Sequence, residues 1–234
     1  MIDWRLHVVT SGHGPATVTA AAAAARAGAG IVQVRAKELL AGDLLALVLD
    51  VAEAVAAVAP ATRVLVNDRA DVAHAARRRG AAVHGVHLGQ ADLPVAEARA
   101  ILGPDVVVGL TAGTLELVRE AEARRGPDRP DYLGSGPYRR TPTKDVGRPP
   151  IGRDGYPPRA AATGLPVLAI GDITLADVPA LAATGVAGVA LVRAVMGADD
   201  PEAVSAACLE AWEGRRPTPS CGPSRPTPPR PRPR

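Results

Sequence analysis

Three polar side chains alternate with small apolar residues between Gln33 and Lys37. Gln33, Arg35 and Lys37 are separated by single residues, so in an extended chain all three point the same way. An amide and two cations on one face suit a polyanion such as a diphosphate. The alternative is a solvated edge strand, which the apolar residues before Gln33 argue against.

Two aspartates follow apolar runs further along the chain. Asp68 comes after Val66 and Asn67, and Asp92 follows the run that ends at Leu88. Mg²⁺ prefers hard oxygen ligands, usually one or two carboxylates together with phosphate oxygens and water. Two aspartates near a cationic trio therefore predict a metal–diphosphate site. The alternative for either aspartate alone is a helix N-cap.

Uncharged polar side chains also fall at the ends of apolar runs. Gln90 and Thr111 are of the kind that orients a heteroaromatic ring by hydrogen bonds. A single histidine on an apolar strand is more often structural than functional, and we interpret His87 in that way.

A glycine- and threonine-rich segment is the most distinctive part of the sequence. Its glycines allow close backbone approach to phosphate, its hydroxyls donate hydrogen bonds and its lysine adds a positive charge. These residues are Gly134, Gly136, Pro137, Thr141, Thr143 and Lys144. The alternative is a flexible linker. Two later glycines, Gly171 and Gly188, could line a second phosphate site.

These residues follow short apolar runs that predict eight strands separated by helices. The predicted strands are Leu6–Val9, Ile31–Arg35, Arg63–Asn67, Gly85–Leu88, Val106–Leu110, Tyr132–Gly134, Val167–Ile170 and Gly188–Leu191. The clearest helices are Asp43–Ala57, Leu115–Arg125 and Pro201–Glu213. This alternation predicts a closed (β/α)8 TIM barrel, an α/β fold, with an open doubly wound sheet as the competitor. Residues 135–158 interrupt the rhythm and lack helical periodicity.

Composition and charge divide the chain into a barrel domain, residues 1–214, and a tail, residues 215–234. The hydrophobic fraction is 47% with no Phe, so Val, Leu, Ile and Ala must build the core. Residues 1–214 carry 21 basic and 24 acidic groups, a net charge of −3, whereas the tail holds six Arg and no acid. We interpret the Pro- and Arg-rich tail as disordered. Because the basic charge lies in the tail, the sequence does not favour nucleic-acid binding by the barrel domain.

Other features favour a cytoplasmic enzyme that acts on small molecules. Cys208 and Cys221 fit neither a metal spacing nor a disulfide framework. No signal peptide is visible, and the alanine run at residues 20–25 is too short to cross a bilayer. We therefore expect no membrane contact; a homo-oligomer is compatible with the sequence.

Together these motifs resemble the thiamine-phosphate synthase family over residues 4–213. The resemblance is carried by Gln33-x-Arg35-x-Lys37, by Asn67-Asp68, by His87-x-Gly89-Gln90-x-Asp92 and by the segment from Gly134 to Lys144. It implies a (β/α)8 barrel that joins a hydroxymethylpyrimidine diphosphate to a thiazole phosphate through a carbocation-like intermediate. The products would be thiamine phosphate and diphosphate.

The resemblance also implies a role for each matching residue. Arg35, Lys37 and Lys144 would be catalytic and, with Asn67, hold the diphosphate; Asp68 and Asp92 would bind Mg²⁺. Gln33 and Thr111 would lie around the pyrimidine. The thiazole phosphate would contact the remaining predicted site residues, which are Thr141, Thr143, Gly171, Val192 and Arg193.

Three positions depart from the family pattern. Asp172 follows Gly171 where two glycines are usual, and Arg193 follows Val192 where a serine is frequent. Gly113 stands where a histidine is often found. A sister family of thiazole tautomerases typically keeps that histidine and loses the Asn-Asp pair, so the sequence favours the synthase. A tautomerase and a non-catalytic phosphate-ligand binder remain the alternatives.

Overall fold

The computed structural model describes residues 1–140 and 149–214. Eight strands occur in it, namely β1 Leu6–Val9, β2 Ile31–Val34, β3 Arg63–Asn67, β4 Val83–Leu88, β5 Val107–Thr111, β6 Tyr132–Ser135, β7 Val167–Ile170 and β8 Gly188–Leu191. The helices of the described residues are α1 Pro15–Arg26, α2 Ala41–Val58, α3 Ala70–Arg78, α4 Val95–Leu102, α5 Leu115–Ala123, α6 Tyr156–Ala161, α7 Val178–Ala182, α8 Arg193–Met196 and α9 Pro201–Glu213.

The eight strands form one closed parallel barrel. Each strand pairs with the next along the chain, and β8 pairs with β1 through the register Leu6 to Val189 and Val8 to Leu191. The predicted (β/α)8 barrel is therefore confirmed, and the competing open sheet is wrong. Four strands have the predicted bounds; three others differ by one or two residues at one end, and β5 is shifted by one residue at both ends.

Successive residues of each strand point alternately toward the helices and toward the barrel interior. The outward residues are apolar because helices cover the sheet; Val32 and Val66, for example, belong to a large buried cluster with the α2 side chains. The inward residues near the start of the strands form a small separate core of Ile31, Leu65, Tyr132 and Leu168. Polar inward residues begin above this layer.

The segment 135–158 contains a helix start that the prediction of a non-helical loop missed. α6 begins at Tyr156, and the Tyr156 hydroxyl donates a hydrogen bond of 3.0 Å to the Ser135 carbonyl. Pro157 and Pro158 lie in the first turn, where a missing N–H costs nothing. Six residues are too few to show helical periodicity.

None of the helices within residues 1–140 and 149–214 combines the length and the hydropathy that a membrane span requires.

Candidate active site

A cavity of about 550 Å³ lies at the carboxyl ends of the strands. Every residue to which the family resemblance gives a site role, and which the structure describes, lines it: Gln33, Arg35, Lys37, Asn67, Asp68, Asp92, Thr111, Gly171, Val192 and Arg193. Thr141, Thr143 and Lys144 lie outside the described residues, so their roles stay predictions. This end of a barrel is the place where loops of different strands converge on one site.

The end of β2 directs its polar side chains into the cavity although the strand stops at Val34. The Thr10 side chain accepts a 2.9 Å hydrogen bond from the Arg35 backbone N–H, which fixes the chain just beyond the strand. Gln33 is buried and donates through Nε2 to Asn67 Oδ1 at 2.6 Å. Lys37, in contrast, remains half-exposed at the mouth.

The two aspartates meet at the ends of β3 and β4. The Lys37 ammonium group forms a 2.7 Å ion pair with Asp68, and the Asp92 carboxylate accepts a 2.6 Å hydrogen bond from the Gly89 N–H. The two carboxyl groups are close enough for each to affect the pKa of the other. Asp68 has a φ of 61°, a left-handed conformation that costs a non-glycine residue roughly 1 kcal/mol or more.

Neither aspartate caps a helix, so the capping alternative is wrong. The N-cap residues of α3 and α4 are Arg69 and Pro94, and neither makes a side-chain capping bond. The Asp68 and Asp92 carboxylates are directed to the cavity instead.

The pKa values of the two aspartates move in opposite directions. Burial alone would raise the pKa of Asp68, but the Lys37 ammonium group, together with Asp92 and His87, lowers it below its usual value. Burial raises the pKa of Asp92, and the neighbouring Asp68 charge raises it further. A carboxylate such as Asp92, whose charge is disfavoured by a neighbouring carboxylate, is a group that a divalent cation would stabilise. With only two protein carboxylates, the remaining ligands of a Mg²⁺ ion would be water and phosphate oxygens. Among residues 1–140 and 149–214, no group of three or more Asp, Glu, His or Cys side chains is arranged to hold a metal ion.

A hydrogen-bonded aromatic group forms the floor of the cavity. The Tyr132 hydroxyl lies 2.8 Å from His87 Nδ1, and His87 Nε2 lies 3.0 Å from Thr111 Oγ1. Burial raises the pKa of Tyr132 well above its usual value, so the phenol stays protonated. Gly109 makes room for this ring, because a Cβ there would lie 2.2 Å from it. His87 thus has the partners of a structural histidine, as interpreted, and also faces the cavity.

Two expectations about individual residues were wrong. Gln90 is exposed and does not line the cavity; its Nε2 donates to the Thr111 carbonyl at 2.6 Å. Gly188 begins β8, far below the strand ends, where a Cβ would lie 1.7 Å from the Trp4 carbonyl oxygen. Gly188 therefore permits close strand contact and lines no phosphate site.

The start of the glycine-rich segment is attached to β7. The Tyr138 and Arg139 backbone N–H groups donate to the carbonyls of Ile170 and Gly171 at 2.8 and 3.0 Å. A Cβ at Gly136 would lie 2.4 Å from the Ile170 oxygen, so this approach requires glycine. The described residues on the two sides of 141–148 meet near the cavity mouth, where the Ile151 N–H donates to the Pro137 carbonyl at 2.8 Å.

Among the cavity residues that sequence reasoning missed are His7 and Tyr132. His7 lies on β1 and Tyr132 at the start of β6, and both face inward. The available signal was the two-residue period: Tyr132 precedes Gly134 by two positions, and His7 precedes Val9 by two.

A family model and similar sequences point to the same family. A family model described as thiamine monophosphate synthase matches residues 6–195. The thiamine-phosphate synthase of Corynebacterium jeikeium is 51% identical over 202 residues, which cover 86% of this chain and 91% of that protein. The chain belongs to the thiamine monophosphate synthase family.

Other members of the thiamine monophosphate synthase family are similar over nearly the whole described barrel. The thiamine-phosphate synthase of Corynebacterium efficiens is 48% identical over 218 residues, covering 92% of this chain and 98% of that protein. A solved thiamine phosphate pyrophosphorylase from Pyrococcus furiosus superposes with a TM-score of 0.77 at 28% identity, covering 91% and 96% of the two chains. The chain is thus a thiamine-phosphate synthase, a transferase of thiamine biosynthesis, and the tautomerase and non-catalytic alternatives find no support.

Two of the departures from the synthase family pattern contact each other. The Arg193 guanidinium forms an ion pair with the Asp172 carboxylate across the ends of β7 and β8. Asp172 has a φ of 54°, the second left-handed non-glycine residue of the described chain. The Asp172 charge is therefore offset by Arg193. At the third departure, the Gly113 carbonyl accepts a hydrogen bond of 3.3 Å from Arg159.

Proposed function

We propose that the chain couples a hydroxymethylpyrimidine diphosphate to a thiazole phosphate in a Mg²⁺-dependent reaction that yields thiamine phosphate and diphosphate. The observation that carries this proposal is the Asp68–Asp92 pair beside Lys37, on one side of a cavity whose lining is otherwise largely apolar. Such a division suits a substrate with one polyanionic end and one uncharged ring.

The cationic side of the cavity stabilises the leaving group. Arg35 and Lys37 hold diphosphate oxygens, and Lys144 adds a third cation by the family motif. Asn67 donates through its amide nitrogen, because its Oδ1 already accepts from Gln33. Negative charge grows on the diphosphate in the transition state, so fixed cations stabilise that state more than the ground state.

Asp68 and Asp92 are the residues that would hold Mg²⁺. The bound ion would supply Lewis-acid stabilisation of the charge on the departing diphosphate. Lys37 keeps Asp68 ionised in advance, since it lowers the pKa of that carboxyl group. The Gly89 N–H holds the Asp92 carboxylate in place by its hydrogen bond.

The bond-forming step requires exclusion of water rather than proton transfer. The carbon–oxygen bond to the diphosphate breaks with its electron pair on oxygen, and the thiazole nitrogen lone pair forms the new carbon–nitrogen bond. A carbocation-like carbon would also react with water, so apolar walls at Val9, Leu168 and Ala190 protect it. Attack by a lone pair releases no proton, which means that no general base is needed.

The remaining lining residues position the two rings. Gln33 and Thr111 lie on the side assigned to the pyrimidine, and Gly171, Val192 and Arg193 lie on the β7–β8 side assigned to the thiazole phosphate. Thr141 and Thr143 complete the second set by the family motif.

The test is a product assay on the purified full chain with both substrates. We expect equal amounts of thiamine phosphate and diphosphate when Mg²⁺ is present, and at least a hundredfold slower turnover after the metal is removed with EDTA. Re-addition of Mg²⁺ should restore the rate, and omission of either substrate is the control.

Each alternative gives a different result in this assay. A tautomerase would isomerise the thiazole without releasing diphosphate, and a binder would show ligand-dependent stabilisation without turnover. Full activity in EDTA would refute the metal assignment while leaving the synthase activity intact.

We also propose a cytoplasmic location, in keeping with a small-molecule biosynthetic enzyme. Assembly into a homo-oligomer stays a prediction that sedimentation analysis of the purified chain can test.

A further inference from the structure

His7 is a buried polar residue that the mechanism above does not use. It lies in the middle of β1, is 2% exposed and lines the cavity floor. Neither of its ring nitrogens has a hydrogen-bond partner of acceptable geometry within residues 1–140 and 149–214. Arg99 and Arg159 each leave only Nε unpaired there, and both bond through their terminal nitrogens.

An unpaired buried imidazole is costly to the folded protein. Each unsatisfied buried donor or acceptor costs about 1–3 kcal/mol, whereas an apolar side chain of similar size would cost nothing of the kind. Burial lowers the pKa of His7 to about 3, with a further contribution from His87 that the Gln33 amide partly opposes. The imidazole is therefore neutral and presents one donor and one acceptor.

The surroundings of His7 leave space for a flat ring. In the strand register His7 lies beside Ile31 of β2 and beside the small residue Ala190 of β8. Its ring meets the Tyr132 ring edge-on, with centroids 5.7 Å apart. Arg35 and Lys37 follow the end of β2, nearer the mouth, so the cations lie above the aromatic floor around His7.

We propose that His7 hydrogen-bonds the aminopyrimidine ring of the diphosphate substrate at the cavity floor and so determines specificity for that ring. This inference rests on the proposed function. A pyrimidine ring nitrogen accepts a hydrogen bond and an exocyclic amine donates one, which satisfies both imidazole nitrogens. The thiazole is a poorer match, because its nitrogen is used in the attack. Gln33, on the neighbouring strand β2, lies between His7 and the two cations that would hold the diphosphate, Arg35 and Lys37.

The test compares His7→Leu and His7→Phe with the wild-type chain. Both variants remove the nitrogens, and Phe keeps the ring against Tyr132. We expect KM and Kd for the pyrimidine diphosphate to rise at least tenfold, while KM for the thiazole phosphate and Kd for inorganic diphosphate with Mg²⁺ change less than twofold. His7→Gln, which keeps a donor and an acceptor, should recover most of the affinity.

Thermal stability is a second measurement: the substitution should weaken pyrimidine binding without lowering Tm. Removal of an unsatisfied group should leave Tm unchanged or raise it in His7→Leu. The matched control is His84→Leu on β4, because His84 Nδ1 accepts a 3.1 Å hydrogen bond from Val64 N–H and does not line the cavity. That variant should lose stability and keep both KM values.

Three results would overturn the inference or its premise, and they are distinguishable. Unchanged pyrimidine affinity in both His7 variants would reject the contact. Loss of folding in both would identify His7 as a structural histidine. A wild-type chain that makes no thiamine phosphate would reject the proposed function itself, whatever the variants do.

Discussion

At the scale of single residues, the site is a row of charged side chains in which a cation is followed by two carboxylates. Lys37 contacts Asp68, and Asp68 neighbours Asp92. Each group sets the protonation of the next: the cation keeps Asp68 ionised, and that negative charge raises the pKa of Asp92. Of the two aspartates, Asp92 is therefore the one whose ionised form gains more from a bound cation. A substitution of Asp92 is the most direct test of the metal site.

Asp92→Asn should lower kcat/KM at least tenfold, about 1.4 kcal/mol of transition-state stabilisation. The amide keeps the size of the side chain and loses the charge that the metal requires. The measurement is steady-state turnover across a Mg²⁺ titration, which should also shift to higher concentrations. Asp105→Asn is the control, because Asp105 is exposed and precedes β5 at the opposite end of the barrel. Equal activity of both variants would remove Asp92 from the site.

The charged and amide residues of the site could be predicted because each interrupts an apolar run at a strand end. His7 could not be recognised in this way, since it lies inside β1 and its role depends on strands distant in sequence. The same holds for Tyr132, whose partner His87 is 45 residues away. Gln90 was assigned to the cavity from its position in the motif, but its direction is set by the Thr111 carbonyl.

At the scale of elements, the ends of β7 and β8 form a unit. Gly171 and Asp172 both have positive φ, and the Asp172 side chain reaches Arg193 at the start of α8. The Arg139 guanidinium donates to the Asp172 carbonyl at 3.1 Å, which ties the glycine-rich segment to the same corner. An arginine held beside the predicted thiazole-phosphate position could exchange its carboxylate partner for a phosphate.

Arg193→Gln should raise KM for the thiazole phosphate at least fivefold and leave KM for the pyrimidine diphosphate unchanged. Asp172→Asn should lower KM for the thiazole phosphate, because the loss of the carboxylate frees Arg193 for the phosphate. Asn is a suitable replacement because it tolerates the left-handed conformation. Steady-state kinetics with each substrate varied in turn measures both effects. Unchanged constants in both variants would limit the pair to a structural link between β7 and β8.

Element positions were predicted well where a two-residue or helical period runs for several residues. α6 was missed because its first turn contains two prolines and the helix has only six residues. The continuation of β2 to Arg35 was also expected, but the strand ends at Val34 and a backbone hydrogen bond to Thr10 fixes the next residue.

At the scale of the whole molecule, the sequence separates a slightly acidic barrel from a basic tail. The barrel could be predicted because eight successive parallel βα units close most simply into a barrel, and the pairing of β8 with β1 completes it. The oligomeric state and the role of residues 215–234 could not be predicted, since neither follows from a periodic sequence pattern.

Deletion of the chain after Arg216 should leave kcat and both KM values within twofold of the full-length enzyme. The predicted site residues all precede this point, and α9 ends at Glu213. The measurement is the product assay on both forms at matched ionic strength, with Tm as a check on folding. A large loss of rate would show instead that the tail contributes to the cavity mouth.

Because Gly109 contacts the Tyr132 ring, the residue types allowed at these two positions on neighbouring strands depend on each other. A methyl group at residue 109 would overlap the tyrosine ring, so a larger residue there is tolerated only with a smaller one at 132. Such an exchange would also take away the phenol that His87 contacts. Family members that diverge here should therefore change both positions in concert, and their pockets should differ in depth.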